Sequence, residues 1–342
     1  MNRIHDLVRP HLRQLKPYSS ARDEFSGEAR IFLDANENPF PSPYNRYPDP
    51  HQQRLRQKLS ALKGVQPNQL FLGNGSDEAI DLLLRIYCEP GRDRVIIPQP
   101  TYGMYGVSAA INGIDVIPVP LTRDFDLDTT TVREAFSSAA KMLFLCSPNN
   151  PSGNLLNGEK VAALIEAFPG IVVVDEAYID FAESESWVTK LNDLPNLVVL
   201  QTLSKAWGLA GIRLGMAFAS ADIIAWLNRI KPPYNISTAA QEIALASISK
   251  GFPHEQVELL KQQRNELRSA LACLAITEQI FPSDANFVLV RVKDADSLYQ
   301  RLLERGVVVR NRSNVMWCEN CLRITVGTPA ENQHLIEQLK AV

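Results

Sequence analysis

Lys205 follows a short apolar run in the sequence, and residue types that bind phosphate surround it. The run at residues 197–201 predicts a strand, so the lysine amine stands at a strand end, where it could form a Schiff base once neutral. Arg213 comes eight positions later, and its guanidinium with the hydroxyls of Thr202 and Ser204 would form a phosphate cradle. An isolated lysine is more simply a surface residue, but these neighbours favour a catalytic one.

Two acids end a second apolar run. Residues 171–174 are all Ile or Val, and Asp175 and Glu176 follow them directly. A carboxylate at the mouth of a buried strand is costly unless it is paired, so Asp175 is a candidate partner for the protonated ring nitrogen of a cofactor. Tyr178 could bond a ring oxygen of the same molecule. A simple capping aspartate is the alternative interpretation.

Two loops carry further polar groups. The turn around Asn150 contains two prolines and a glycine, so this side-chain amide has a fixed direction and could donate to the same ring oxygen. The stretch that begins at Gly73 opens a predicted helix, where the free backbone N–H groups of Gly75, Ser76 and Asp77 would bind phosphate. A plain Asn-Pro turn and a plain helix cap remain as alternatives.

Short apolar runs alternate with helical patterns over the first two thirds of the chain. The runs lie at residues 95–97, 116–117, 142–145, 171–174 and 197–200. Such continuous runs are typical of strands that are buried on both faces, and their alternation with helices predicts an α/β fold with a mostly parallel sheet. Ligands of these sheets bind at the carboxyl ends of the strands, which is where the polar residues above are found.

The last third of the chain predicts a smaller α+β domain. Its helical patterns lie at about 238–250, 254–273 and 298–305, with a further helix at the end, and its strand patterns lie at 287–290, 307–309 and 322–326. We therefore predict an N-terminal arm over residues 1–35 that is part of the small domain, a large domain over 36–251 and the small domain over 252–342.

The composition indicates a globular protein of the cytoplasm. The 342 residues are 45% hydrophobic, and a net charge of −3 argues against a nucleic-acid partner and against a polybasic membrane anchor. No apolar run approaches the ~20 residues that span a bilayer, and the N-terminus lacks the apolar core of a signal peptide. Five scattered cysteines do not suggest a disulfide framework. Cys318 and Cys321 lack the second ligand pair of a zinc site, so no metal is expected.

In this order along the chain, the motifs resemble those of the fold-type I aminotransferases, which use pyridoxal 5′-phosphate (PLP). The matching segments are the Asn-Pro-x-Gly turn at 150–153, the Asp-x-x-Tyr at 175–178 and the lysine motif at 202–205 with its arginine at 213. Over almost its whole length the chain is also similar to the histidinol-phosphate aminotransferase family. The segments that carry this similarity lie at 17–18, 33–39, 46–49, 175–181 and 322–328. Ser152 stands where the family usually has threonine, which keeps the hydroxyl. The resemblance implies a large domain with a mostly parallel seven-stranded sheet between helices, plus a smaller α+β domain.

The resemblance also implies a role for each matching residue. Lys205 would bind the cofactor and move the proton, Asp175 would pair with the pyridine nitrogen, and Tyr102 would stack on the ring, which makes these three the predicted catalytic residues. The other predicted cofactor-binding residues are Gly75, Ser76, Asp77, Asn150, Tyr178, Thr202, Ser204 and Arg213, together with Tyr47 from a partner subunit. The predicted substrate-binding residues are Tyr18, Asn36, Tyr234, Asn286, Arg310 and Arg323.

The activity implied by the resemblance is amino transfer from L-glutamate to a phosphorylated imidazole substrate, imidazole-acetol phosphate, by a homodimer with shared active sites. Two nearby alternatives stay open: an aromatic or broad-range aminotransferase, and a PLP-dependent decarboxylase of a phosphorylated amino acid. A PLP-binding transcription regulator is disfavoured, because the enzyme fold would occupy the whole 342-residue chain and leave no room for a DNA-binding domain.

Overall fold

The computed structural model describes residues 3–19 and 30–341, and its central feature is a mixed sheet. Within the described residues the sheet has seven strands in the order β1-β7-β6-β5-β4-β2-β3. The strands are β1 (Leu70–Asn74), β2 (Arg94–Gln99), β3 (Asp115–Pro120), β4 (Ala140–Cys146), β5 (Ile171–Asp175), β6 (Leu197–Thr202) and β7 (Leu214–Ala219). Strand β7 is antiparallel to both of its neighbours, whereas β6, β5, β4, β2 and β3 are parallel to one another. The predicted mostly parallel α/β sheet is therefore confirmed.

Helices cover both faces of this sheet. One face is covered by α3 (Ser76–Tyr87), α4 (Met104–Ile111) and α7 (Ala221–Ile230), and the other by α2 (Gln53–Lys63), α5 (Thr129–Glu134), α6 (Gly158–Ala167) and α8 (Thr238–Ser249). Successive strand residues point to opposite faces, so Ile171 and Val173 of β5 join one core while Val172 and Val174 join the other. Burial on both faces is the physical reason for the continuous apolar runs in the sequence.

The last third forms a second, antiparallel sheet with its own core. Its strands are β8 (Thr277–Ile280), β9 (Phe287–Val292), β10 (Arg310–Asn311) and β11 (Cys321–Thr325), and its helices are α9 (His254–Ala272), α10 (Ala295–Glu304) and α11 (Pro329–Lys340). The strand order is β10-β11-β9-β8. The predicted strand at 307–309 is wrong, because Val307 donates its N–H back to Leu302 at the end of α10 and pairing with β11 begins only at Arg310.

The N-terminal residues pack differently from the prediction that the arm is part of the small domain. Helix α1 (Arg3–Leu7) contacts α7, and Ile4 and Val8 are buried in the core beneath α3 and α7. The Arg9 guanidinium also forms an ion pair with Glu89, 3.1 Å away, just after α3. The described part of the arm thus lies on the large sheet's helices, and residues 20–29 lie outside the described part. The other predicted boundary, at 251/252, stays a prediction; it falls between α8 and α9.

Short 3₁₀ helices complete the described structure. They span Pro10–Gln14, Pro67–Gln69, Ile179–Phe181, Trp187–Lys190 and Ala210–Ile212. In residues 3–19 and 30–341, no helix combines the length and the apolar character that crossing a membrane requires.

Candidate active site

A cavity of about 130 Å³ lies at the carboxyl ends of β4, β5 and β6, next to the start of α3. Residues from four separate predicted motifs line it together. The predicted residues in its wall are Gly75, Ser76, Asp77, Tyr102, Asn150, Asp175, Tyr178, Thr202, Ser204, Lys205 and Arg213. The parallel strands explain this convergence, since loops that follow neighbouring strands emerge at the same edge of the sheet.

Lys205 lies in the loop directly after β6, and its amine is 5.7 Å from the ring centre of Tyr178. The residue as a whole remains exposed to solvent, yet surrounding protein lowers the pKa of its amine. Burial is the largest cause, followed by repulsion from the guanidinium groups of Arg323 and Arg213. These effects favour the neutral amine, which is the form that acts as a nucleophile or a base.

Asp175 is the last residue of β5 and is almost completely buried, with 2% of its surface exposed. Burial raises the pKa of this carboxyl to about 6, although two hydrogen bonds oppose the shift. One comes from the Tyr105 hydroxyl, 2.7 Å from Oδ2, and the other from the Ala177 N–H, 3.0 Å from Oδ1. At neutral pH the carboxyl is therefore mostly ionised in a site that water barely reaches.

Arg213 and the start of α3 form a polar cradle at another part of the wall. The Arg213 guanidinium lies 3.6 Å from the Asp77 carboxylate, and the hydroxyls of Thr202 and Ser204 are 3.0 Å apart. The sequence predicts a free Gly75 N–H here, and that detail is wrong: this N–H donates to the Arg213 carbonyl at 2.8 Å. Gly75 contributes space instead, because its φ is 76° and a side chain there would meet the Arg213 guanidinium.

Tyr102 and Tyr178 supply aromatic surface to the same cavity. The Tyr102 hydroxyl donates to the Asp77 carboxylate at 3.2 Å, and its ring meets the ring of Tyr105 edge-on. Tyr178 packs edge-on against Phe287 at the start of β9. Burial raises the pKa of both cavity tyrosines above the ordinary range, so each hydroxyl stays protonated at neutral pH.

Arg323 joins the small sheet to this cavity. Its guanidinium, on β11, donates to the Asn150 side-chain oxygen, which leaves the Asn150 amide nitrogen directed elsewhere. Arg310 on β10 pairs directly across from Arg323, and Arg312 follows it by two residues. None of the three arginines forms an ion pair with an acidic side chain of residues 3–19 or 30–341. Uncompensated guanidinium groups in one place favour an anionic ligand.

Not every predicted residue lies at this cavity. Asn36, Tyr47 and Tyr234 line a second cavity of about 490 Å³, in which the Tyr47 and Tyr234 rings stack 4.5 Å apart. Tyr18 lines a third cavity, of about 430 Å³, with Arg229 and other basic residues. Asn286 is half-buried next to β9, where its carbonyl accepts a hydrogen bond from Val326.

Sequence reasoning missed several residues of the site. Tyr105 bonds Asp175; Cys146 and Ala177 line the cavity; and Arg312 lies in the electrostatic field of Arg310 and Arg323. Alternation within the segment 310–312 could have indicated Arg312, since residues two apart on a strand face the same side. No sequence signal marks Tyr105, because it reads as one apolar position on a short helix.

A lysine after β6, a buried acid at the end of β5 and a guanidinium–hydroxyl cradle on a mixed seven-stranded sheet together define a PLP-dependent transferase of fold-type I. The chain belongs to the aminotransferase class I and II family, whose model matches residues 34–339. It is 53% identical to the histidinol-phosphate aminotransferase of Parabacteroides distasonis over 341 residues, which cover 99% of both chains. This degree of identity over the full length lies well within one family of enzymes.

Solved structures share the architecture. A putative histidinol-phosphate aminotransferase from Erwinia carotovora atroseptica superposes with a TM-score of 0.80 at 26% identity, covering 90% of this chain and 94% of that one. The L-threonine-O-3-phosphate decarboxylase of Porphyromonas gingivalis superposes with a TM-score of 0.73 at 27% identity, covering 86% of this chain and 90% of that one. The fold by itself therefore does not separate the two chemistries.

The cofactor of this family is PLP, and the side chains of the cavity fit it. A buried acid suits a protonated ring nitrogen, and a guanidinium with two hydroxyls suits a phosphate. The amine whose pKa is lowered, that of Lys205, suits the aldehyde. The cavity thus offers complementary groups for the ring nitrogen, the phosphate and the aldehyde of the cofactor.

Proposed function

We propose that this chain is a histidinol-phosphate aminotransferase, which converts imidazole-acetol phosphate and L-glutamate to L-histidinol phosphate and 2-oxoglutarate. The observation that carries the proposal is the joint lining of one cavity by Lys205, Asp175 and Arg213, with the Arg310–Arg323 pair beside it. The identity of the full-length relatives supports the choice of substrate.

Each residue of the cavity has a distinct part in this proposal. PLP, when bound, supplies an electron sink that stabilises negative charge at the substrate Cα. Lys205 would hold the cofactor through its amine, and the same amine, neutral once released, would serve as the base that moves a proton at the substrate Cα. Asp175 would keep the ring nitrogen protonated, Asn150 and Tyr178 would bond the ring oxygen, and Tyr102 would stack on the ring.

The phosphate end of the cofactor would be bound by the polar cradle. Arg213 supplies charge, Thr202 and Ser204 supply hydroxyls, and the N–H groups of Ser76 and Asp77 at the start of α3 add the positive end of a helix dipole. In this proposal Gly75 contributes to the shape of the cradle and does not donate a hydrogen bond to the phosphate.

The substrate anions would be bound by the arginines of the small sheet. Arg323 bonds the cavity residue Asn150, and its charge lowers the pKa of the Lys205 amine. It would thus be placed for the α-carboxylate of glutamate or the phosphate of the second substrate. Arg310 lies next to it. Asn286, and Tyr18 and Tyr234 from the other two cavities, stay proposed members of the substrate-binding set, together with Asn36.

The alternatives make different products. An aromatic or broad-range aminotransferase would accept aromatic keto acids as readily as the phosphorylated imidazole substrate, and a decarboxylase of a phosphorylated amino acid, as in the Porphyromonas structural relative, would release CO₂. A PLP-binding transcription regulator would need a DNA-binding domain in addition to the region that the family model matches, residues 34–339.

An assay of the purified enzyme with L-glutamate separates these possibilities. The 2-oxoglutarate formed is measured with imidazole-acetol phosphate, phenylpyruvate and 4-hydroxyphenylpyruvate as acceptors, and CO₂ release is measured with O-phosphothreonine. We expect kcat/KM to be highest for the phosphorylated imidazole substrate. Substitution Arg310→Gln should reduce this preference, whereas Arg54→Gln on α2 should leave it unchanged. CO₂ release without 2-oxoglutarate formation would rule out the proposal.

We also propose a homodimer in which the segment around Tyr47 completes the partner's active site. Residues 30–48 expose large apolar side chains: 87% of Leu33, 77% of Phe40 and 64% of Tyr44 are accessible. The segment is nevertheless held in shape, because the Glu37 carboxylate binds both the Arg46 guanidinium and the Tyr47 N–H. An ordered aromatic surface of this kind is typical of protein interfaces.

We place the enzyme in the cytoplasm. All five cysteines are free, and four of them are buried, which suits a reducing compartment. Fractionation of cells that express the tagged protein should recover it in the cytosolic fraction; recovery with membranes or in the medium would refute this assignment.

A further inference from the structure

The Tyr105 side chain is buried directly behind the proposed cofactor-binding acid. It lies in the first turn of α4, is 0% exposed, and donates its hydroxyl to the Asp175 carboxylate at 2.7 Å. Its ring stacks on Phe144 of β4, with centroids 4.9 Å apart and planes 15° apart. The hydroxyl therefore has a fixed position, because the ring that carries it cannot move without disturbing the core.

The same short helix start also supplies the proposed ring-stacking residue. Tyr102 precedes α4 by two residues, lines the cavity and meets the Tyr105 ring edge-on, with centroids 5.5 Å apart and planes at 86°. Tyr102 and Asp175 would contact two different parts of the cofactor ring. Tyr105 contacts both of them, so it links their positions through one rigid side chain.

We propose that Tyr105 is a positioning residue, whose hydroxyl orients the Asp175 carboxylate and holds it in the anionic form that pairs with a protonated ring nitrogen. This inference rests on the proposed function of Asp175. A packing role alone would be served equally well by phenylalanine, which fills the same space. The buried hydroxyl is aimed at a charged oxygen instead, and a hydrogen bond to a charged group stabilises that charge.

Several ionisable groups face Asp175 from the surrounding elements. They are Tyr105 and Tyr102 at the start of α4, Cys146 at the end of β4, Asp77 in the first turn of α3, Tyr178 after β5 and Lys205 after β6. Burial raises the pKa of Cys146 to about 12, and the three tyrosines titrate above the neutral range, so the other charges that act on Asp175 are those of Asp77 and of Lys205 in its protonated form.

The pKa of the Asp175 carboxyl lies close to neutral pH, so the hydrogen bond from the Tyr105 hydroxyl decides how much of this carboxyl is ionised. Burial raises the pKa of the carboxyl to about 6, and the Tyr105 hydrogen bond is the largest contribution that lowers it. Removal of this bond should strengthen proton binding by Asp175 about tenfold to a hundredfold, or one to two pH units. The carboxyl would then be about half to nine-tenths protonated at pH 7.

The test uses four forms of the full-length protein: wild type, Tyr105→Phe, Asp175→Asn and the double variant. In the cofactor-free proteins, infrared difference spectra during a pH titration report the carbonyl band of a protonated carboxylic acid, and the band missing in Asp175→Asn is that of Asp175. We expect its midpoint to rise by one to two pH units in Tyr105→Phe. A midpoint unchanged from wild type would overturn the proposal.

A second substitution at the same position tests the proposal even if the Tyr105→Phe variant does not fold. Site-specific 3-fluorotyrosine at position 105 keeps the ring and the hydroxyl but makes the hydroxyl a stronger donor, so the midpoint should fall rather than rise. Absence of a fall would count against the proposal even where Tyr105→Phe does not fold.

In the PLP-loaded enzyme, the acid limb of the kcat profile should shift to higher pH in Tyr105→Phe, with turnover recovering at alkaline pH. In the Asp175→Asn background, Tyr105→Phe should cause no further shift of that limb, whereas an equal loss in both backgrounds would mark a merely structural residue. The infrared midpoint does not depend on the reaction, so it tests Tyr105 even where the substrate assay contradicts the proposed activity.

Discussion

At the residue scale, two side chains of the candidate site have pKa values that burial moves in useful directions. Burial lowers the pKa of the Lys205 amine and raises that of the Asp175 carboxyl, and in each case the charged form becomes costlier. Because the charged form of Lys205 is disfavoured, more of its amine is neutral and able to react. The aspartate keeps most of its charge only because Tyr105 and Ala177 donate hydrogen bonds to it.

Substitution Lys205→Ala should abolish covalent attachment of PLP, because among residues 3–19 and 30–341 no other amine lines the cavity. Wild-type protein with PLP should absorb visible light, lose that absorption on borohydride treatment and carry the reduced cofactor through denaturing gel filtration. The variant should carry none. Lys58→Ala, at an exposed position of α2, is the matched control and should behave as wild type. Reducible, linked cofactor in Lys205→Ala would show that another residue is the attachment site.

Substitution Asp175→Asn should lower turnover far more than it lowers PLP content, because the ring nitrogen would lose its anionic partner. Single-turnover rates and bound PLP per chain are the measurements. Wild-type kcat in a folded, PLP-loaded variant would contradict the proposed role of Asp175.

The same substitution should stabilise the cofactor-free protein at high pH. The folded pKa of Asp175, about 6, lies above its ordinary 3.8, so the benefit of burying the protonated form is complete below about 3.8 and is lost as pH rises through 6. A pKa shift of about two units corresponds to about 3 kcal/mol in the free energy of unfolding. Urea unfolding at pH 8 should show Asp175→Asn to be the more stable protein, with a gap that narrows toward pH 5. The exposed Asp115→Asn should show neither effect, and a gap that does not change with pH would refute the explanation.

At the element scale, the antiparallel strand β7 supports the proposed phosphate cradle. Its Gly215 pairs with Gly73 of β1, and the chain turns from β1 into α3 immediately beside it. A Cβ at Gly215 would lie far inside the van der Waals distance of Ser76 N and of the Gly75 carbonyl carbon. The cradle therefore has its shape because a neighbouring strand lacks a side chain at one position.

Substitution Gly215→Ala should displace the start of α3, weaken PLP binding at least tenfold and cost about 1–3 kcal/mol of stability, as overpacking of a tight contact usually does. PLP affinity is measured by fluorescence titration of the cofactor-free protein, and stability by urea unfolding. Gly158→Ala, at a position with open space around it, is the control. Unchanged PLP affinity in Gly215→Ala would show that the cradle tolerates the added atom.

At the scale of the whole molecule, the predicted residues fall into separate cavities within one chain. Tyr47 lies with Tyr234 and Asn36 in a cavity distinct from that of Lys205. The exposed apolar segment that carries Tyr47 suits a surface that a second copy covers. The proposed dimer reconciles these facts, since a residue from each subunit would complete the other's site.

Mixing two inactive variants tests this arrangement. Subunits with Lys205→Ala and subunits with Tyr47→Ala are exchanged, and each heterodimer then contains one doubly altered site and one intact site. At equal amounts, random exchange makes half of the dimers heterodimers, so activity should reappear at about a quarter of the wild-type level. No recovery, with heterodimers shown by mass spectrometry, would reject shared sites. An active monomer in light scattering would reject the dimer.

The sequence by itself determined the class of fold and most of the Lys205 cavity. Strands buried on both faces must be apolar throughout, so β2, β4, β5 and β6 were visible as runs, and the residues that follow parallel strands must meet at one edge. Lys205, Asp175 and Asn150 each follow such a run. Their convergence could therefore be predicted without coordinates.

Only the tertiary structure decided the contacts between segments far apart in the chain. Tyr105 and Asp175 are 70 positions apart, and Gly75 loses its free N–H to the carbonyl of Arg213, the residue before β7. The edge strand at 307–309 is absent because a local bond to the end of α10 competes with pairing. The pattern of residues in a short segment indicates which of them are buried or polar. The partner that each residue contacts depends on how the whole chain packs, and a short segment of sequence does not contain that information.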